Sequence, residues 1–379
     1  MGRPLIVHAF LRWVETARAA DRAKAASVLA RAYARARIAP ADRHAAEMAM
    51  IFLLDDPAPK VRLGLAEALA DSEDAPRAVV LPLAEDQPEI AAHILLRSPV
   101  LTDSDLVDLA AKGGEVTRML IAHRAFVSRS VSAALAEVGE VPDLLVLLEN
   151  EGASISRRSL SRIADRFGHD AEIRAMLLDR EDLPSDARHA LVEKIGSALA
   201  GFGLIQAAVG ASRVERITRE ACDVATLGLV ADVAPGEMPA LVEHLRLAGK
   251  LTPVFLMHAL CTGRVEFFAA SIANLSGQAE RRVRSILSDG REAAVRALYE
   301  TMGLGRDISA LFAEATMLLR HEAKGGDGLL SLSEKLLSRA RGADGTACRS
   351  MLEMVERLAI AEQRQTARSY ALIATREAA

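Results

Sequence analysis

His258 and Cys261 stand one helical turn apart, and an imidazole nitrogen and a thiolate sulfur are both good zinc donors. His44 and Glu47 repeat the spacing. A zinc site needs three or four such ligands, yet the chain has no His-Glu-x-x-His, and Cys222, Cys261 and Cys348 form no Cys-x-x-Cys pair. Within Leu256-Met257-His258-Ala259-Leu260-Cys261 the histidine is expected to be a packed core residue. Asp103-Ser104-Asp105 opens like a calcium loop, but Val107, Asp108 and Gly114 fall at its fifth, sixth and twelfth positions, where an oxygen ligand, a glycine and a bidentate acid are required. The acids are better suited to the positive end of a helix. Gly249-Lys250-Leu251-Thr252 resembles the end of a phosphate loop without its first glycine, Gly201-Phe202-Gly203 lacks the third glycine of a dinucleotide turn, and no Gly-x-Ser-x-Gly elbow occurs. The expectation is a non-enzyme with no catalytic residue, cofactor or metal.

Two other groups suggest binding. Arg97, Arg124 and Arg180 each precede an apolar residue by three positions, at Val100, Val127 and Leu183, and a capping Thr102, Ser128 or Ser185 follows. They are expected along one edge, either as a basic ridge for a partner or as cations at the negative ends of helices. Phe267-Phe268 concentrates aromatic area, and adjacent helical positions point about 100° apart, so one ring can enter the core while the other lines a groove, or both can simply be core.

The elements that must position these residues are helices. Leu83-Ala84-Glu85-Asp86-Gln87-Pro88-Glu89-Ile90 and Leu109-Ala110-Ala111-Lys112-Gly113-Gly114-Glu115-Val116 both read as a helix end, a polar break and a helix start, with looser copies from Leu53, Leu147 and Leu177. Such a unit cannot bury its own apolar face, so neighbours must stack. The expected fold is all-α: a HEAT-like α-solenoid of stacked helix pairs over 40–200, with a more globular helical domain over 201–323. Basic helices over 1–39 precede it, and terminal helices over 329–379 follow the linker-like Lys324-Gly325-Gly326-Asp327-Gly328.

Composition agrees with helix. Of 379 residues 51% are apolar but only 3% aromatic, and alanine, leucine, arginine and glutamate dominate. Net charge is −4, yet residues 1–37 hold eight Arg or Lys against Glu15 and Asp21. Arg18, Arg22, Lys24, Arg31 and Arg35 fall on helical spacings, suited to an acidic partner or to the acidic body of the same chain. The apolar Leu5 to Val14 is interrupted by Arg12 and lacks a small-residue cleavage site, so it reads as a helix of the mature protein. Ile195 to Ser212 carries no charge, but its glycines and Gln206 keep its hydrophobicity low, so it is expected as a buried helix or a joint between domains rather than a transmembrane segment.

Longer runs carry a resemblance. Val61-Arg62-Leu63-Gly64-Leu65-Ala66-Glu67-Ala68-Leu69-Ala70, then Arg97 through Val107, then Phe167-Gly168-His169-Asp170-Ala171-Glu172-Ile173-Arg174, resemble an uncharacterised alphaproteobacterial family, domain of unknown function 2336. Ala259 through Gly263, Phe267-Phe268, Leu275-Ser276-Gly277 and Arg296-Ala297-Leu298-Tyr299 resemble its carboxyl half, so that roughly 40–320 is covered. The resemblance implies a cytosolic bacterial protein of HEAT-like repeats and brings no catalytic residues with it.

The function expected on this basis is a non-enzymatic, cytoplasmic scaffold or adaptor for an unidentified protein partner. A nucleic-acid-binding HEAT-like protein is the second reading, opposed by the acidic body and the shortage of aromatic platforms. A self-associating structural protein is the third. It rests on Thr346 to Glu377, a long helix whose Met351, Val355, Leu358 and Leu372 form an apolar side suited to a homodimer or to docking on the same chain.

Overall fold

The computed structural model describes residues 12–35, 38–323, 325, 331–340 and 346–377, with backbone alone for 40, 41, 346, 347 and 369–377. Among them every regular element is a helix, and the one β-type pairing is an isolated bridge between Val127 and Ala153. The chain divides into Met1–Leu191 and Val192–Ala379, a boundary inside the helix Ser185–Ala200. The expected break near 200 therefore lies about two and a half turns earlier. The basic amino-terminal helices belong to the first unit, and the terminal helices to the second.

The first unit runs α1 (Ala19–Ala34), α2 (Pro40–Leu54), α3 (Pro59–Leu69), α4 (Arg77–Ala84), α5 (Pro88–Arg97), α6 (Asp103–Lys112), α7 (Glu115–Ala122), α8 (Arg129–Val138), α9 (Val141–Glu149), α10 (Arg157–Phe167), α11 (Ala171–Asp179) and α12 (Ser185–Ala200). Most have only 8 to 11 residues, too short to hold together alone in water. Packing supplies what length does not. The odd-numbered helices from α1 to α11 each pack on the next odd one, α2 packs on α4, and α6, α8 and α10 pack in sequence. One apolar core, from Val14 through Leu65, Ile94 and Leu135 to Leu191, fills the space between the two rows. Each buried Leu or Ile contributes about 1.5–3 kcal/mol.

Glycine sets the closest approach. A Cβ on Gly64 of α3 would lie 2.9 Å from the carbonyl oxygen of Ala23 on α1, so only the missing side chain lets these helices meet. The helix starts follow the sequence: Pro59 and Pro88 open α3 and α5, where no helical N–H is lost. Thr102 accepts from the Asp105 N–H at 3.3 Å, and Asp105 accepts from the Thr102 N–H at 2.8 Å, a capping box in place of a calcium loop. A hydrogen bond from Arg77 holds the Asp105 carboxyl down to about 2. Ser128 caps α8 through the Val131 N–H.

Arginines at the fourth residue of α1, α3, α7 and α11 reach back to the loop before their own helix, and the first three also tie one pair to the next. Arg22 donates to the Ala17 carbonyl at 2.8 Å and grips both carboxylate oxygens of Asp56 at 2.6 and 2.9 Å. Arg62 donates to the Asp56 carbonyl at 2.7 Å and grips Asp86 at 2.6 and 3.0 Å. In α7, Arg118 donates to the Gly113 carbonyl at 2.9 Å and to Asp143 at 2.6 Å. Arg174 of α11 reaches the Gly168 carbonyl at 3.1 Å. Of the basic positions on α1, Arg22 is the one tied to an acid of the body in this way, while Arg18 before it, Lys24, Arg31 and Arg35 are exposed.

In the second unit follow α13 (Gly203–Val209), α14 (Ala211–Ala231), α15 (Met238–Leu247), α16 (Pro253–Cys261), α17 (Val265–Ser276), α18 (Glu280–Asp289), α19 (Glu292–Glu300), α20 (Arg306–Ala323), α21 (Leu332–Arg339) and α22 (Thr346–Glu377). Gly277 ends α17 at φ 67°, a left-handed conformation that favours glycine. The core is aromatic where the first unit's is aliphatic: Phe268, Tyr299 and Phe312 form one nucleus, with centroids 5.3 to 6.2 Å apart. The Tyr299 hydroxyl is paired with Thr316 at 2.6 Å, which removes the cost of burying it.

Asp143 is completely buried and binds Arg118, itself 14% exposed. Asp143→Ala should lower unfolding free energy by about 2–3 kcal/mol in urea titration, because the cation left behind stays largely desolvated. Asp143→Asn, which keeps an acceptor, should lose less.

Candidate interaction surface

The three arginines lie at the ends of α5, α7 and α11, as their spacing predicts, but their head groups go to different places. Arg97 is exposed and meets Asp71 at 3.1 Å and His93 at 3.3 Å. Arg180 closes on Asp182 at 2.8 and 2.9 Å. Arg124 is half-buried and donates to the Ser98 carbonyl at 2.8 Å and to the Leu95 carbonyl. Those two oxygens belong to the end of α5, whose last carbonyls have no partner within the helix. Burial pushes the Arg124 pKa below its ordinary value, with Asp103 acting in the opposite sense. The helix-end role thus describes Arg124 best.

The same device recurs. Asn150 donates to the carbonyls of Ala122 at 2.6 Å and Arg124 at 2.8 Å, closing the end of α7. Arg166 serves the Ala136 carbonyl at 2.8 Å near the end of α8, and Arg188 those of Leu178 at 3.0 Å and Arg180 at 2.6 Å beyond α11. In the second unit Arg320 reaches Ile286, Leu287 and Gly290 at the end of α18.

These contacts join three loops edge to edge. Arg124 holds the loop after α5, and Asn150 holds the loop after α7. Val127 donates to the Gly152 carbonyl at 3.2 Å and accepts from the Ser154 N–H at 2.8 Å. A Cβ on Gly152 would come within 2.1 Å of the Ala125 carbonyl oxygen, so glycine is required for the loops to meet. Phe126 stands on this edge, 68% exposed. The sequence reading missed it. Its signal is a large aromatic in a polar break of an aromatic-poor chain, one position before the core residue Val127.

The groove assigned to Phe267 and Phe268 is replaced by core. Phe267 meets Phe255 edge-on with centroids 6.0 Å apart, and Phe268 stacks on Phe312 at 6.0 Å. The helix α17 packs on α15, α16, α18 and α19. The association helix is corrected too. Met351 and Val355 are buried in the second unit's own core, and Leu358 packs against it. The side chain of Leu372 lies outside the described residues. His258 is buried on α16, its pKa lowered to about 4 by desolvation, and the Cys261 thiol is pushed up to about 12 by burial. Among the described residues no group of three or more His, Cys, Asp or Glu is arranged to hold a metal ion.

Ile195 to Ser212 is bent, and most of it from Ser197 onward is exposed. Ser185–Ala200 and Gly203–Val209 meet at a bend of 64°, and no single described helix is long and apolar enough to cross a membrane. Every residue from Leu204 to Gly210 is exposed apart from the half-buried Gln206.

A family model described as an uncharacterised protein conserved in bacteria, DUF2336, matches residues 90–347. The chain belongs to this family. No curated protein and no solved structure matches it. Within the DUF2336 match lie the tied loops, Phe126 and the aromatic core, while the run Val61 to Ala70 falls outside.

Two outcomes are expected. Arg124→Ala should lower stability by about 2 kcal/mol, read by urea titration, because two helix-end carbonyls lose a charged donor. His258 must stay neutral in the fold, so the unfolded chain takes up a proton first as pH falls, and stability should decline between pH 6.5 and about 4. His258→Leu should flatten that decline in pH-dependent melting curves.

Proposed function

We propose that this DUF2336 chain is a non-enzymatic scaffold, its first unit a HEAT-like α-solenoid that presents the tied loop edge to a protein partner. The supporting observation is Phe126, held 68% exposed on a loop whose backbone is fixed by Arg124, Asn150 and Gly152. An aromatic ring on a rigid mount gives up little conformational entropy on binding, which is why such residues act as anchors at interfaces. Next-but-one packing extends this edge by one loop for every pair, so a partner can be gripped at several loops at once.

The nucleic-acid reading has less support, since Arg97, Arg124 and Arg180 already neutralise carboxylates or carbonyls of the chain itself. Phosphate binding needs a coherent set of free cations.

The test is capture from a lysate of the native bacterium with a crosslinker, using native protein and Phe126→Ser as baits. A partner retained by the native bait and lost from the variant, at unchanged melting temperature, is the expected result. Equal capture by both baits removes the loop edge from the reading. Tight binding of duplex DNA at physiological salt would replace the scaffold by the nucleic-acid reading.

A further inference from the structure

The second unit carries an apolar protrusion with a different character. Leu204 is 78% and Phe202 57% exposed, and Leu199, Ile205 and Val209 are exposed with them. The helix Gly203–Val209 has no buried residue on any side. A helix meant for a protein groove shows an apolar stripe on one face and polar residues opposite. Here Leu204, Ile205, Ala207, Ala208 and Val209 run around the whole circumference, and only Gln206 interrupts them, donating to the Ala200 carbonyl at 2.7 Å.

Cations lead the charges on its carboxyl side. No ionisable residue occurs from Ile195 to Ser212; Glu193 and Lys194 precede the run, and Arg213, Arg216 and Arg219 follow it within two turns, against Glu215 and then Glu220, which pairs with Arg216 at 3.3 Å. Arg213 and Arg219 are exposed. Ile217, 47% exposed, lies one turn beyond Arg213 and continues the apolar surface.

We propose that this protrusion inserts into the surface of a bilayer containing anionic phospholipid, with the α14 arginines against the headgroups. Three observations select lipid over a second protein surface. Acyl chains can surround a helix that is apolar on all sides, whereas a groove covers one face. A seven-residue helix is about 10 Å long, the depth of the headgroup and upper acyl region but far short of the hydrocarbon core. Cations at the end of an uncharged segment match the negative surface of such a bilayer, each adding about 1 kcal/mol. The 64° bend at Gly201 and Phe202 keeps the insertion shallow, because the preceding helix cannot follow along the same axis.

The experiment uses the full chain in vesicle flotation, comparing phosphatidylcholine alone with phosphatidylcholine containing about 40% phosphatidylglycerol. Binding to the anionic vesicles is expected, weakened at high salt by screening. Leu204→Asp with Val209→Asp should weaken it about tenfold or more, and Arg213→Glu with Arg219→Glu should abolish the preference for anionic lipid. These positions are exposed, so unchanged melting temperatures will show that the variants fold. Failure of the native chain to float, or equal flotation of the Leu204/Val209 variant, would overturn the proposal. A concentration-dependent dimer in light scattering that the same variant dissolves would also overturn it, assigning the protrusion to a second copy.

Discussion

An arginine in the first turn of a helix works against the helix dipole, which favours acids there. Arg22, Arg62, Arg118 and Arg174 nevertheless occupy the fourth position of α1, α3, α7 and α11. Their reward is geometric. The guanidinium fork satisfies a carbonyl in the loop just before its own helix and, in three of the four, a carboxylate from further along the chain. Asp56 shows how the ties interlock: its side chain receives Arg22 while its carbonyl receives Arg62. Without such bridges, helices of two or three turns would have only apolar contact to set their order, and apolar contact alone tolerates sliding.

The second unit is specified differently. Its aromatic residues meet in the edge-on and stacked pairs around Phe268 and Phe267, where shape rather than charge fixes the packing. The long last helix is committed to this core over its first half, through Cys348, Met351, Met354, Val355 and Ala359. An apolar stripe that reads from sequence as a surface seeking a partner is in these positions an inward face.

Elements and their ends were legible because they depend on local chemistry. The breaks read in Leu83 to Ile90 and Leu109 to Val116 fall between helices that end at Ala84 and Lys112 and start at Pro88 and Glu115, and Thr102 and Ser128 cap as their types suggest. Burial of His258 followed from its apolar neighbours. What escaped was anything decided by a residue far along the chain. Periodicity gives the faces of a helix but not what covers them, so Phe267 and Phe268 could not be told from a groove pair, nor Ile195 to Ser212 from a buried segment. The loop edge needed Arg124 and Asn150 to be seen reaching back 26 to 29 residues. Phe126 had no periodic signal, since it lies between helices.

Next-but-one packing in the first unit has a mechanical consequence. Each odd-row helix leans on its odd neighbours, so the principal contacts in that row run from one pair to the next. Tension drawn along the chain would reach one junction at a time, parting a carboxylate grip and a strip of apolar contact while each helix keeps its own hydrogen bonds. Such a unit would yield in small steps, each opposed by the apolar contact and the charged grip of one junction.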